Sequence, residues 1–159
     1  MDTLLHLLKQ NARLSNNELA SILDVTAEEV AEQIKEYERT GIINGYSAII
    51  DEEAADQDSV TAFIELKVTP QPNFGFDDIA STIMQFDEVD SVYLLSGEYD
   101  LSVTISGRNL RDIALFVAQR LAPLNGVLAT STHFVLRRYK ERGIFLMKED
   151  TDERGLISL

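Results

Sequence analysis

The chain has 159 residues, 45% of them apolar, and a formal net charge of −13 from 14 basic and 27 acidic side chains. That length holds one ordinary domain or two small ones, and the apolar share is that of a packed globular protein. There is no cysteine, hence no disulfide framework and no cysteine zinc site, as suits a reducing cytoplasm; no apolar run nears the roughly 18 residues that span a bilayer, and no basic-then-apolar leader is expected at the N-terminus.

Charge bears directly on partners, because phosphate binding rests on Lys and Arg. No segment is a basic patch: residues 1–50 carry 4 basic and 8 acidic side chains, and residues 51–139 carry 6 and 14. Leu4, Leu5, Leu7 and Leu8 predict a short amphipathic helix. Ser15 with Glu18, and Thr26 with Glu29, are two capping boxes, each opening a helix with apolar residues three and four apart. Leu19, Ile22 and Leu23 follow the first; Val30, Ile34 and Tyr37 follow the second. Only Leu23-Asp24-Val25 separates these helices, and Asp24 tolerates the left-handed conformation that so tight a turn needs. Gly41 is a helix stop, and 42–50 is expected to be strand-like. Three short helices and a wing describe a winged helix-turn-helix over residues 1–50; a generic helical hairpin is the plainer alternative.

Asp51, Glu52, Glu53, Asp56 and Asp58 mark 51–59 as an acidic, solvated linker, with no calcium-loop spacing. Beyond it the period changes to two. Ala62, Ile64, Leu66 and Val68 predict a strand that Pro70 and Pro72 end. A helix follows over 76–86, then strands over 89–95 and 101–105 joined by a Gly97-Glu98 turn, a second helix over 110–121, and a strand over 127–136. The order β-α-β-β-α-β is the ferredoxin-like split unit, occupying 60–139 in an α+β chain. Both helices cover one sheet face. Phe63, Tyr93, Leu95, Ser102 and Thr104 fall on the other, a surface suited to a second sheet in a two-fold dimer. Residues 140–159 form a C-terminal tail, of which 145–159 mixes charges and is either disordered or binds a partner.

Together these segments resemble the Lrp/AsnC, or feast/famine, transcription regulators over roughly residues 4–144. The stretches that carry the resemblance are Asn11-Ala12-Arg13-Leu14-Ser15, Glu18-Leu19-Ala20, Gly41-Ile42-Ile43-Asn44-Gly45-Tyr46 with Ala48, Gly97-Glu98-Tyr99-Asp100-Leu101, and Thr130-Ser131-Thr132. The resemblance implies a DNA-binding N-terminal domain and a RAM-type C-terminal domain that dimerises through its sheet. It implies dimers that associate into octamers or discs, and a small effector, commonly an amino acid, bound where dimers meet. The chain departs from the family's pattern in three ways. It starts almost at its first helix, the helix over 27–39 holds five acids and two bases with Gln33 where the family usually has Arg, and 145–159 extends past the family core.

Candidate site residues follow. Ser15, Asn16, Asn17, Thr26, Gln33 and Lys35 are the expected DNA contacts, offering uncharged donors and one cation. Gly97, Tyr99, Asp100, Thr130 and Thr132 are the expected effector contacts. Gly97 would let a ligand approach the backbone and Asp100 would accept from an ammonium group; a plain hairpin turn and two ordinary strand threonines are the alternative. Arg137-Arg138-Tyr139-Lys140, the single basic cluster, reads as charge balance against the acidic body, with contact to DNA as the alternative. His6 and His133 lack ligand spacing, so no metal is expected. No catalytic grouping, phosphate loop or cofactor motif is visible. The expectation is a cytoplasmic, amino-acid-responsive DNA-binding regulator, not an enzyme and not a membrane protein. The alternative is a regulator-like sensor or assembly protein that has lost DNA binding and acts through partner chains.

Overall fold

A computed structural model describes residues 2–55, 59–70 and 74–146. The chain divides into two compact units at Ala48/Ile49. Asp56, Asp58, Pro72 and residues 147–159 of the predicted tail lie outside the described residues.

The first unit holds α1 (Thr3–Gln10), α2 (Asn16–Leu23) and α3 (Ala27–Arg39). Both predicted capping boxes form: Ser15 and Thr26 accept from the Glu18 and Glu29 amides, and each glutamate side chain accepts from its cap's backbone. These bonds satisfy amides that the first helical turn leaves without a partner. Asp24 takes φ 57 and ψ 45, the left-handed turn expected between α2 and α3. Leu4, Leu8, Leu19, Ala20, Val30 and Tyr37 form the core. Gly41 (φ +73) follows α3 as its stop.

The expected wing strand over 42–50 is not a strand. The amides of Ile42 and Ile43 both donate to the Tyr37 carbonyl, at 2.9 and 3.0 Å, so the segment begins as the end of the helix. Ile42, Tyr46 and Ile50 stand exposed. A strand is stable only against a partner ladder, and among the described residues none runs beside 42–50.

The second unit opens with the single turn α4 (Glu52–Ala55) and the strand β1 (Val60–Val68). There follow α5 (Phe76–Ile83), β2 (Val89–Leu94), β3 (Leu101–Gly107), α6 (Leu110–Phe116) and β4 (Val127–Phe134). The sheet order is β2-β3-β1-β4, antiparallel throughout. This is the predicted split unit, with one difference: α6 runs directly into a π-helical turn, Val117–Leu121. Ala62, Ile64, Leu66, Leu101, Val103 and Ile105 bury one sheet face against Ile79, Ile83, Ile113, Phe116, Val117 and Leu121. Phe86 meets Phe116 edge to face, centroids 5.5 Å apart, and Arg120 caps the Phe86 ring.

The predicted tail begins with structure. β5 (Lys140–Glu141) and β6 (Ile144–Phe145) form a small hairpin. Its turn residues Arg142 and Gly143 both have positive φ, 46 and 92. That pair of signs is what a tight two-residue hairpin turn demands.

Candidate nucleic-acid interface and effector site

In the first unit, the six predicted DNA contacts separate into two groups. The Ser15 and Thr26 hydroxyls each donate to a carboxylate, Glu18 at 2.7 Å and Glu29 at 2.9 Å. Those carboxylates also accept from the Ser15 and Thr26 amides at 2.7 and 2.8 Å. Both glutamates are held below the usual carboxylate range, Glu18 by the Ser15 hydroxyl first and then its amide, Glu29 by the Thr26 amide first and then its hydroxyl. A negative group therefore already occupies the N-terminus of α2 and of α3, where a phosphate would otherwise be favoured. Asn16, Asn17 and Lys35 are exposed. Gln33 is exposed but meets the Tyr37 hydroxyl at the edge of the buried stripe.

Tyr37 also ties α3 to the start of the chain by donating to Asp2. That bond lowers the Asp2 pKa and raises that of the tyrosine. On the outer side of α3, Glu36 holds Arg39 through two bonds of 2.7 and 2.6 Å, which lowers the glutamate pKa. Glu38 accepts from Tyr46 at 3.0 Å.

In the second unit, the Gly97–Asp100 turn is docked onto β1. The Asp100 carboxylate accepts from the Val68 amide at 2.7 Å, its own amide donates to Leu66 at 3.0 Å, and its carbonyl accepts from Leu95 at 2.8 Å. Lys67 lies 3.7 Å from Asp100 and donates to the Glu98 carbonyl. The bonds to the Asp100 carboxylate fall on Oδ2. The position of the Gly97 hydrogen faces open space, with nothing within 4 Å of where a Cβ would sit. Tyr99 is half-buried.

Thr130 and Thr132 pair with Leu66 and Ile64 on β4, the edge strand beside β1. They lie half-buried toward the helix-covered face. Ser131 stands on the other face.

That other face carries Phe63, Tyr93 and Leu95, exposed by 48%, 58% and 38%, as the alternation predicts. It also carries a network that the sequence did not reveal: His133 contacts Glu65 at 3.0 Å and Ser131 at 3.2 Å. The register Phe63↔His133 and Glu65↔Ser131 places these four side chains together. Alternation alone assigned the face; nothing local announced a pair 68 positions apart.

Arg138 bridges Glu52 at 3.0 Å and Thr61 at 2.5 Å, the charge balance expected of the basic cluster. Lys140 instead lies over the Phe145 ring, 4.5 Å from its centroid. Among the described residues no group of three His, Cys, Asp or Glu could hold a metal ion, and no helix is long and apolar enough to cross a membrane.

Comparison with known proteins matches both units. Residues 61–145 fit the family described as the Lrp/AsnC ligand binding domain, and residues 3–44 fit the winged helix-turn-helix DNA-binding family. An uncharacterized HTH-type transcriptional regulator, YugG of Bacillus subtilis, is 41% identical over 98% of this chain and 94% of its own length. The leucine-responsive regulatory protein of Klebsiella pneumoniae is 24% identical over 91% of this chain and 88% of its own. Among solved structures, the transcriptional regulator NMB0573 of Neisseria meningitidis in complex with L-Met is similar at a TM-score of 0.71 and 26% identity. That match covers 89% of this chain and 93% of the other.

Proposed function

Because the chain belongs to the Lrp/AsnC family of helix-turn-helix transcription regulators, we propose that an amino acid, or a similar small zwitterion, is its effector and binds at the Gly97–Asp100 turn. The observation that carries this reading is the Asp100 carboxylate. Its Oδ2 fastens the turn to Val68, which leaves Oδ1 as the acceptor for an ammonium group. Gly97 borders open space where a ligand carboxylate can approach the backbone. Tyr99, Thr130 and Thr132 are the further polar contacts. The NMB0573 neighbour, in its L-Met complex, supports an amino acid as the class of ligand.

Asn16, Asn17, Gln33 and Lys35 contact DNA. Ser15 and Thr26 act through their caps, setting where α2 and α3 begin. The protein is cytoplasmic and performs no catalysis. Its open sheet face, with Phe63, Tyr93 and Leu95, is covered by a second copy in a two-fold dimer, and dimers associate into larger assemblies such as octamers. A ligand that touches two protomers binds the assembled form better than the separated one, which couples occupancy to association.

The test is an anisotropy titration of the full chain against duplex DNA from upstream of its own gene at low salt. It is run with and without each of the twenty amino acids, beside light scattering. Binding to the duplex that one amino acid shifts, and that Asp100→Ala no longer lets it shift, is the expected result. A wild type that binds no amino acid overturns the sensing role. A protein that binds no duplex favours a sensor acting through partner chains.

A further inference from the structure

α3 carries five carboxylates and two cations, and the structure accounts for most of them. The Glu29 carboxylate is held by the Thr26 amide and hydroxyl, Glu36 grips Arg39, and Glu38 receives the Tyr46 hydroxyl. Glu28, Glu32 and Lys35 remain. All three are exposed, and no side chain among them has a hydrogen bond or ion pair among the described residues.

Their position follows from the helix period. Val30 is almost fully buried, and Glu28 and Glu32 lie two residues to either side of it. Two residues are about 200° of helix rotation, so both carboxylates stand roughly opposite the core, at the middle of the outward face. Lys35 is one turn beyond Glu32 on the same side. Glu28 lies in the first turn of α3, where a carboxylate is favoured by the helix dipole; like charges four apart weaken a helix, so Glu32 adds a repulsion that Lys35 three residues on offsets.

In a helix-turn-helix the second helix of the motif enters the major groove and faces base edges. We infer that Glu32 and Lys35 of α3 read a cytosine–guanine pair there, with Glu28 a second acceptor one turn earlier. The inference rests on the DNA-binding reading above. Guanine and thymine present acceptors to the major groove, and adenine sets its N7 acceptor beside its amino group. A carboxylate is repelled by all of these. Cytosine alone offers an amino donor with no acceptor of its own. The paired guanine then presents O6 and N7, which the Lys35 ammonium takes. Carboxylate and ammonium, three residues apart, thus match the donor and acceptor halves of one base pair.

The experiment is selection from a randomised duplex pool at low salt with the full chain, for wild type, Glu28→Gln, Glu32→Gln and Lys35→Met. All three positions are exposed, and circular dichroism reports retention of α3. Wild type is expected to enrich a C·G pair at a fixed position of each half-site, with discrimination of the order of 10-fold against the other pairs. Glu32→Gln is expected to move that preference toward A·T, since an amide matches adenine's paired donor and acceptor. Lys35→Met is expected to weaken discrimination at the same position. If Glu28→Gln and Glu32→Gln only raise affinity for all duplexes equally, the carboxylates merely repel DNA and the inference is overturned. It is equally overturned if the selected sequence is the same for all four proteins. Failure of every protein to bind any duplex instead removes the DNA-binding reading on which it stands.

Discussion

The two units of this chain are built by different means. Among the described residues, six buried ones, Leu4 to Tyr37, hold the first, and thirteen, Ala62 to Leu121, hold the second. The first is local: its caps join residues three apart, and one left-handed aspartate sets its turn. The second is long-range, with β1 pairing as far away as Phe134. A small core is sufficient when sequence-local hydrogen bonds fix where each helix starts; a sheet has no such devices and depends on burial. Both units mix short and long reach in their charges: Glu36 and Arg39 are three apart while Asp2 takes the Tyr37 hydroxyl from the far end of α3, and Arg108 and Asp112 are four apart while Arg138 reaches Glu52 across the second unit.

Substitutions can break this comparison. Ile64 is fully buried at the centre of the sheet core, so Ile64→Ala should cost about 4 kcal/mol in denaturant unfolding of the second unit. Leu19→Ala should cost about 3 kcal/mol, but from a core of half the size. Helical circular dichroism should therefore fall at a temperature where the sheet unit persists, and duplex binding should fall with it. Equal midpoint shifts for both variants would show the units to be energetically one. Asp100→Ala leaves the Val68 amide without its acceptor and should cost about 2 kcal/mol, whereas Asp100→Asn should recover most of that. Thr26→Ala should cost about 1 kcal/mol, confined to the first unit.

Acid gives the smallest effect and the sharpest contrast. Glu18 is held below the usual glutamate range by the Ser15 hydroxyl and amide, and Glu29 by the Thr26 amide and hydroxyl. Their contribution is complete above that range and is lost as pH falls through the lowered folded-state values. The first unit should lose thermal stability below about pH 4.5, and Thr26→Ala, which removes the hydroxyl but keeps the backbone amide, should reduce that dependence in part.

What the sequence disclosed follows the same division. The two capping boxes, the Asp24 turn, the strand alternation and the order of elements were legible because each is written within a few neighbouring residues. The Asp100–Val68 tie, the Glu65–His133 pair and the Arg138–Glu52 bridge were not, because each joins positions that only the sheet register brings together. The expected wing failed for the opposite reason: its apolar residues suggested a strand, but Ile42 and Ile43 had nearer acceptors in Tyr37. The β5–β6 hairpin carries a local signal of its own, a glycine at the second turn position between two short paired segments. Of the candidate site, residue types were legible but availability was not: Ser15 and Thr26 are engaged in their own caps.

The π-helical turn after α6 bears on how the chain tolerates a change of length. Its signature bond runs from the Ala122 amide to the Val117 carbonyl, five residues back, at 2.8 Å. A π turn holds one residue more than the α turn it replaces. Ala118, Gln119 and Arg120 are exposed along it, and Leu121 is fully buried at its end. Removing Ala118 would let an ordinary α-helix deliver Leu121 to within about 40° of Phe116, on the same inward face. At this place in the fold a deletion, normally the harshest of edits inside a helix, becomes a return to regular geometry.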